Sequence, residues 1–144
     1  ALFGLADCYR GMNQQFRSIE HWNMILQLDP KNKVILTRTG DAYRNMGDYK
    51  TATDYYNRAL NIEYDLYAVL GLALISKGEG RYEEAIISLS RLIQTDPKNY
   101  RLYTDLADCY LKTNQKAQAV EVLQSFQTQG LRSQAISDML EKLT

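Results

Sequence analysis

The chain has 144 residues, enough for one domain, and its 17 basic and 17 acidic side chains leave no net charge. This balance excludes a broad surface for nucleic acid or anionic membranes, which needs an excess of Lys and Arg. The longest apolar run, Ala68 to Ile75, is far too short to span a bilayer. Ala1 already lies in a helical pattern, so we expect a segment cut from a longer protein. The sequence does not identify a compartment, and our default expectation is a soluble, cytoplasmic protein.

The chain repeats itself with a period of 34 residues. Tyr9 recurs at Tyr43, and the pentapeptide Leu5–Tyr9 (LADCY) returns at Leu106–Tyr110, close to three periods later. Such a period predicts an array of helical hairpins, in which each unit buries its apolar face against its neighbours. The approximate bounds of the four repeats and of a final capping helix are 1–31, 32–64, 65–98, 99–130 and 131–143.

The first two hairpins have clear helix and turn signals. We predict helices at Ala1–Asn13 and Phe16–Leu28, ended by Asp29-Pro30 because proline cannot continue a helix. The second hairpin is predicted from Lys33 to Met46 and from Tyr49 to Ile62. Gly47 is the left-handed residue expected between them.

Small and large residues alternate in the second hairpin in a fixed order. Gly40 and Ala52 are predicted points of close helix approach, and Tyr43 and Tyr56 are predicted to fill the gaps beside them. In the third hairpin, the helix from Tyr67 to Ser76 is apolar almost all round. It is therefore either buried on both sides or presents an apolar surface to a ligand.

These residues resemble the tetratricopeptide repeat (TPR) family, whose pattern places large, small and aromatic residues on two helices and a proline near the end. The second repeat follows this pattern with Leu36, Gly40, Tyr43, Ala52, Tyr56 and Ala59. The fourth follows it with Tyr103, Leu106, Ala107, Tyr110, Ala119, Leu123 and Phe126. The resemblance implies an all-α fold, a right-handed α-solenoid of four TPR hairpins plus a C-terminal capping helix. It also implies a non-catalytic scaffold for protein–protein interaction.

Residues for catalysis or metal binding are scarce. His21 is the only histidine, and no metal-binding or phosphate-binding motif is present. Cys8 and Cys109 occupy equivalent positions in distant repeats, so we expect two buried free thiols and no disulfide. We therefore expect no enzyme activity, no cofactor and no metal.

The first helix of each hairpin lines the concave face of such an array, so its positions outside the core are candidate contacts for a peptide or partner protein. These candidates are Asp7, Arg10, Thr37, Arg38, Asp41, Arg44, Asn45, Leu72, Ile75, Arg101, Thr104, Asp105, Asp108 and Lys112. A row of aspartates beside an apolar middle at Leu72 and Ile75 predicts a partner with basic groups and an apolar anchor. The alternative is that Asp7 with Arg10, and Asp41 with Arg44, each three residues apart, only pair with each other on a solvated face.

Other functions remain open or are excluded. TPR domains that bind chaperone carboxyl-terminal tails resemble one another in a clamp of Lys, Asn and Arg. The matching positions here are Phe3, Asp7, Arg38, Asp65 and Val69. Only Arg38 is basic, so we exclude binding of a chaperone tail. Self-association, or a role as the accessory domain of a larger enzyme, remains an alternative.

Overall fold

The computed structural model describes the backbone of residues 2–144 and the side chains of residues 14–144. This part of the chain forms eight α-helices and no strand, which confirms the predicted all-α class. The helices are α1 (Leu2–Leu28), α2 (Lys33–Asn45), α3 (Tyr49–Ile62), α4 (Leu66–Gly78), α5 (Tyr82–Thr95), α6 (Tyr100–Lys112), α7 (Lys116–Gln127) and α8 (Gln134–Leu143). None of the described helices is long and apolar enough to cross a membrane. The chain divides into two compact units, residues 1–75 and 76–144.

The prediction of two helices in the first repeat is wrong, because residues 2–28 form one continuous helix. In the second hairpin the turn is made by Gly47, at φ +84°, and by Asp48, whose side chain accepts a hydrogen bond from Thr51 N at 3.2 Å. Thirty-four residues earlier the chain has Asn13 and Gln14. Glutamine is a good helix former and a poor cap, so the helix can continue.

The same Asn-Gln pair does form a turn in the fourth hairpin, with Asn114 at φ +60°. There the hydroxyl of Thr113 donates to the carbonyl oxygen of Cys109 at 3.0 Å and accepts from Gln115 Nε2 at 2.8 Å. The first repeat has Met12 at the position of Thr113, and its thioether cannot make these bonds. The turn therefore depends on a neighbouring hydroxyl that the first repeat lacks.

In the first unit, the core forms around the ring of Tyr56 on α3, which is completely buried. A Cβ atom built on Gly40 of α2 would lie 2.8 Å from Tyr56 Cε1. One built on Gly71 of α4 would lie 2.2 Å from Tyr56 Cζ. Two helices thus approach the ring where no side chain intervenes, which confirms that Gly40 is a point of close approach.

In the second unit, the core lies between α6, α7 and α8. The rings of Tyr103 and Phe126 meet edge to face, with centroids 5.1 Å apart. Ile136 and Leu140 of α8 are buried against the same cluster, which confirms the capping helix. This helix begins at Gln134, three residues later than predicted, because Ser133 is its N-cap.

Candidate functional site

One face of α2 in the first unit borders two open clefts. The first, called the α2–α4 cleft, has a volume of about 500 Å³ and is lined by Lys33, Val34, Thr37, Arg38, Asp41, Asp65 and Tyr67. The second, called the α1–α2 cleft, has a volume of about 410 Å³ and is lined by Gln14, Gln15, Ser18, Trp22, Arg38, Asp41, Ala42 and Asn45. Arg38 and Asp41 line both clefts. Four of the predicted contact residues, Thr37, Arg38, Asp41 and Asn45, are therefore brought together here.

The polar floor of the α2–α4 cleft is Asp65, whose side chain ties α2 to the start of α4. Its Oδ2 accepts a hydrogen bond from Thr37 Oγ1 at 2.7 Å, and its Oδ1 accepts one from Tyr67 N at 3.0 Å. Thr37 and Asp65 are both buried. The hydroxyl of Thr37 is thus used inside the protein, which corrects its expected role as an exposed contact.

The walls of this cleft are apolar and exposed. Val34 on α2 is 54% exposed, and Tyr67 on α4 is 67% exposed. Arg38 is exposed on the same helix as Val34, one turn further on, and it has no ion-pair partner among the side chains of residues 14–144. The cleft therefore combines apolar walls with an exposed guanidinium group.

Asp41 and Arg44 are held in a network with Tyr56. Arg44 Nη2 lies 3.6 Å from Asp41 Oδ1, the phenol of Tyr56 donates to the same oxygen at 2.5 Å, and Arg44 Nε donates to the phenol oxygen at 3.1 Å. Burial and the hydrogen bond to Asp41 raise the pKa of Tyr56 well above its ordinary value. The two predicted contact residues thus pair with each other, as the alternative stated, and they also bind a core residue.

The pKa of Arg44 reflects the same network. Burial lowers this pKa, but the hydrogen bond to Tyr56 and the charge of Asp41 outweigh burial and raise it. Sequence reasoning missed the polar role of Tyr56. The only available signal was that tyrosine stands where phenylalanine would fill the same gap.

Asp105 and Asp108, the two predicted aspartates of the second unit, are also paired. Lys77 Nζ lies 3.1 Å from Asp105 Oδ1 and 3.0 Å from Asp108 Oδ2. Burial lowers the pKa of Lys77, but the hydrogen bond to Asp108 and the charge of Asp105 outweigh burial and raise it. Lys77 was not predicted at this place. The signal for it was a pair of carboxylates three residues apart on one helix, which favours a shared cation.

The other predicted contacts of the second unit also lie on α6. Arg101 and Lys112 are exposed. The hydroxyl of Thr104 donates to the carbonyl oxygen of Arg101 at 3.0 Å. Arg101 and Lys112 are therefore accessible, and Thr104 is partly buried.

The predicted apolar middle of the groove is wrong. Ile75 is 1% exposed and belongs to the core cluster of Tyr56, and Leu72 packs against the same cluster. The small residues Ala68 and Gly71 let α4 approach the core closely, so Ile75 is buried and Leu72 is partly buried, whereas Tyr67 stays exposed. The side of α4 that carries Ile75 is therefore buried, and Tyr67 at its start is exposed.

Some predicted residues lie outside the described side chains, namely Asp7, Arg10 and Cys8. Cys109 is free and buried, and burial raises the pKa of its thiol. His21 is exposed. Among the side chains of residues 14–144, no group of His, Cys, Asp and Glu could hold a metal ion.

The described helices pack in pairs, two glycines border the core of the first unit, and α2 has an open face. These features are typical of a helical-repeat protein. Three tetratricopeptide repeat models match the chain, at residues 1–32, 35–66 and 77–142. The chain belongs to the tetratricopeptide repeat family, whose members include protein-interaction scaffolds.

Individual relatives match this chain over part of their own length. The chain is 28% identical over 127 residues to Superkiller protein 3 of Schizosaccharomyces pombe. The aligned region covers 88% of this chain and 8% of that protein. It is 29% identical over 66 residues to Anaphase-promoting complex subunit 6 of Dictyostelium discoideum. The aligned region covers 46% of this chain and 8% of that protein. The chain thus spans less than a tenth of both proteins.

A solved structure shows the same fold. The structure of pilF from Pseudomonas aeruginosa aligns with a TM-score of 0.78 and 19% identity, over 99% of this chain and 64% of that chain. The predicted class, a TPR solenoid, is therefore confirmed.

Proposed function

We propose that this chain is a non-catalytic scaffold that binds an extended segment of a partner protein along the exposed face of α2. The observation that carries the proposal is that two open clefts of the first unit meet on this face at Arg38 and Asp41. Together they offer a continuous track across one helix.

The composition of the clefts suits a peptide better than a small metabolite. Their linings mix exposed apolar side chains, such as Val34 and Tyr67, with the hydrogen-bonding groups of Gln14, Gln15 and Asn45. Both clefts are open depressions on the surface, whereas small-molecule sites bury most of their ligand. An extended peptide can use alternate side chains to fill such depressions while its backbone stays near the surface.

The relatives support a role in assembly. One of them is, by its name, a subunit of the anaphase-promoting complex, which is an assembly of several proteins. This chain matches only a small share of that protein, and the partner of this chain is not inferred from it.

A second candidate function is self-association through α1. Met24 is 65% exposed and Leu28 is 90% exposed, and both border a depression of about 360 Å³ that also includes His21, Ile25 and Gln27. Exposed apolar patches of this kind are found at contacts between protein chains. Light scattering on Leu28→Glu distinguishes this candidate, because a dimer held by this patch becomes monomeric in the variant.

A selection from random peptides tests the proposed function. A library of 12-residue segments, joined to carrier protein at both ends, is selected on the purified chain, on Val34→Arg and on Lys50→Glu. Val34 is an exposed wall of the cleft, whereas Lys50 is exposed on α3 outside both clefts. We expect enriched segments on the wild type and on Lys50→Glu and their loss on Val34→Arg. Failure to enrich any segment, or enrichment that Val34→Arg leaves unchanged, contradicts the proposal.

A further inference from the structure

We propose that the segment bound in the α2–α4 cleft is acidic and apolar. An Asp or Glu side chain within the segment pairs with Arg38, and a neighbouring apolar side chain packs between Val34 and Tyr67. This inference rests on the proposed function and adds the chemistry of the partner.

The carboxylates of the cleft have partners inside the protein. Both oxygens of Asp65 accept hydrogen bonds, from Thr37 and from the backbone of Tyr67. Asp41 Oδ1 accepts from Tyr56 and lies beside Arg44. A basic partner would have to compete with these contacts, so the aspartates of α2 are weak anchors for it.

Unlike these carboxylates, Arg38 is not engaged by the described side chains. It is exposed, and no ion pair or hydrogen bond engages its guanidinium group among the side chains of residues 14–144. A guanidinium group presents five N–H donors and binds carboxylates with two parallel hydrogen bonds. Its position between the two clefts makes it the available charged anchor of this face.

A second cation stands at the edge of the cleft. Lys33 Nζ lies 3.5 Å from Glu63 Oε2, and the Glu63 side chain is 73% exposed. Such surface pairs contribute little stability and exchange partners readily. A second acidic side chain of the segment can therefore take the place of Glu63.

The apolar part of the motif follows from spacing on the helix. Val34 and Arg38 are four residues apart, so they are neighbours on one face of α2, with Cβ atoms about 6 Å apart. Tyr67 faces the same cleft from the start of α4. A carboxylate on Arg38 thus places the adjoining residues of the segment against Val34 and Tyr67.

The carboxylate belongs to a side chain within the segment and not to a chain terminus. Arg38 lines both clefts, so a bound segment has space to continue on either side of it. A site for a terminus would be closed on one side.

Because the described aspartates of α2 and α4 are already paired, they do not select a basic partner. This reverses the expectation from the sequence.

The test uses the same library and compares the composition of the selected segments. The targets are the wild type, Arg38→Glu, Arg38→Gln and Lys50→Glu, each checked for native helix content by circular dichroism. We expect the wild type and Lys50→Glu to enrich segments with Asp or Glu next to an apolar residue. Synthetic copies of these segments, capped at both ends, should bind Arg38→Glu at least about 10-fold more weakly, because a charge-assisted pair becomes a repulsion.

Four results would overturn the inference. Enriched segments that are basic or uncharged, or acidic segments that bind Arg38→Glu as tightly as the wild type, would contradict it and leave the proposed function standing. A parallel library with free carboxyl termini that alone yields Arg38-dependent binders would assign the carboxylate to a terminus. The absence of any enriched segment would contradict the inference and the proposed function together.

Discussion

The phenol of Tyr56 donates a hydrogen bond to Oδ1 of Asp41 at 2.5 Å. The ring of Tyr56 is completely buried, while the Asp41 side chain is 41% exposed and borders both clefts. One hydrogen bond thus joins the core of the first unit to its candidate binding face. Stability and binding are therefore expected to be coupled at this pair.

Removing the hydroxyl group of Tyr56 should lower the stability of the first unit moderately. Tyr56→Phe keeps the ring but leaves Asp41 and Arg44 without their shared partner, and we expect a loss of about 1 kcal/mol in the free energy of unfolding. Urea denaturation at pH 7 measures it. A loss of unfolding free energy below about 0.3 kcal/mol would show that water replaces the hydroxyl group of Tyr56 at no cost in stability.

The same variant should change the stability at alkaline pH. The pKa of Tyr56 is raised in the folded protein, so the proton is held more tightly there than in the unfolded chain. The stability that this provides is complete below the ordinary tyrosine pKa of about 10 and is lost as the pH rises above it. The wild type should therefore lose more stability than Tyr56→Phe between pH 9 and pH 11.5. The exposed Tyr64 supplies the control, since Tyr64→Phe should follow the wild type.

Substitution of Gly71 should be more harmful than substitution of Gly40. A Cβ atom on Gly71 would lie 2.2 Å from Tyr56 Cζ, against 2.8 Å from Cε1 for one on Gly40. Alanine favours helix by up to about 1 kcal/mol, but overpacking of this kind costs about 1–3 kcal/mol or more. We expect Gly71→Ala to lower the thermal midpoint more than Gly40→Ala. The added substitution Tyr56→Leu should reduce that difference, and a purely additive double mutant would exclude the clash as its cause.

The ion pairs of Lys77 should contribute measurably to the second unit. Lys77→Met retains the apolar stem but leaves Asp105 and Asp108 facing each other on α6. Because these groups are partly exposed, we expect a loss of about 1 kcal/mol, and a smaller loss in 1 M NaCl. Urea denaturation at the two salt concentrations measures both values, with the exposed Lys98→Met as the control. Equal losses for the two variants would show that the ion pairs contribute nothing.

Substitution of Asn114, the left-handed residue between α6 and α7, should change the stability of the chain. Asn114 has φ +60°, which asparagine tolerates and alanine does not. We expect Asn114→Ala to destabilise the chain by about 1 kcal/mol and Asn114→Gly to leave it unchanged or slightly more stable. Thermal denaturation ranks the three forms. Equal midpoints for the alanine and glycine variants would contradict this account of the turn.

Much of the fold could be predicted because its signals are local. The turn at Gly47 and Asp48 and the small residue Gly40 beside Tyr56 follow from spacing and residue size alone. The continuous helix α1 could not be predicted in this way. The Asn-Gln pair is compatible with a turn or a helix, and the hydroxyl that decides between them in the fourth hairpin belongs to Thr113.

The candidate site was less predictable, because exposure depends on tertiary contacts. Helical spacing placed Arg38 and Asn45 correctly on an exposed face. It could not show that Thr37 bonds to Asp65 across 28 residues, nor that Lys77 neutralises two aspartates of α6. Ile75 was assigned to the groove because its helix is apolar on all sides, and only packing reveals which side faces the core.

The central claim, that a peptide binds on the exposed face of α2, is tested most directly by NMR chemical-shift mapping with a selected segment. We expect the largest amide shifts at residues 34–41 and 65–67, with small changes at the exposed residues of α3 such as Lys50. The same titration on Arg38→Glu should leave these amides unchanged. Shifts concentrated at Met24 and Leu28, or on α7, would contradict the assignment of the binding face.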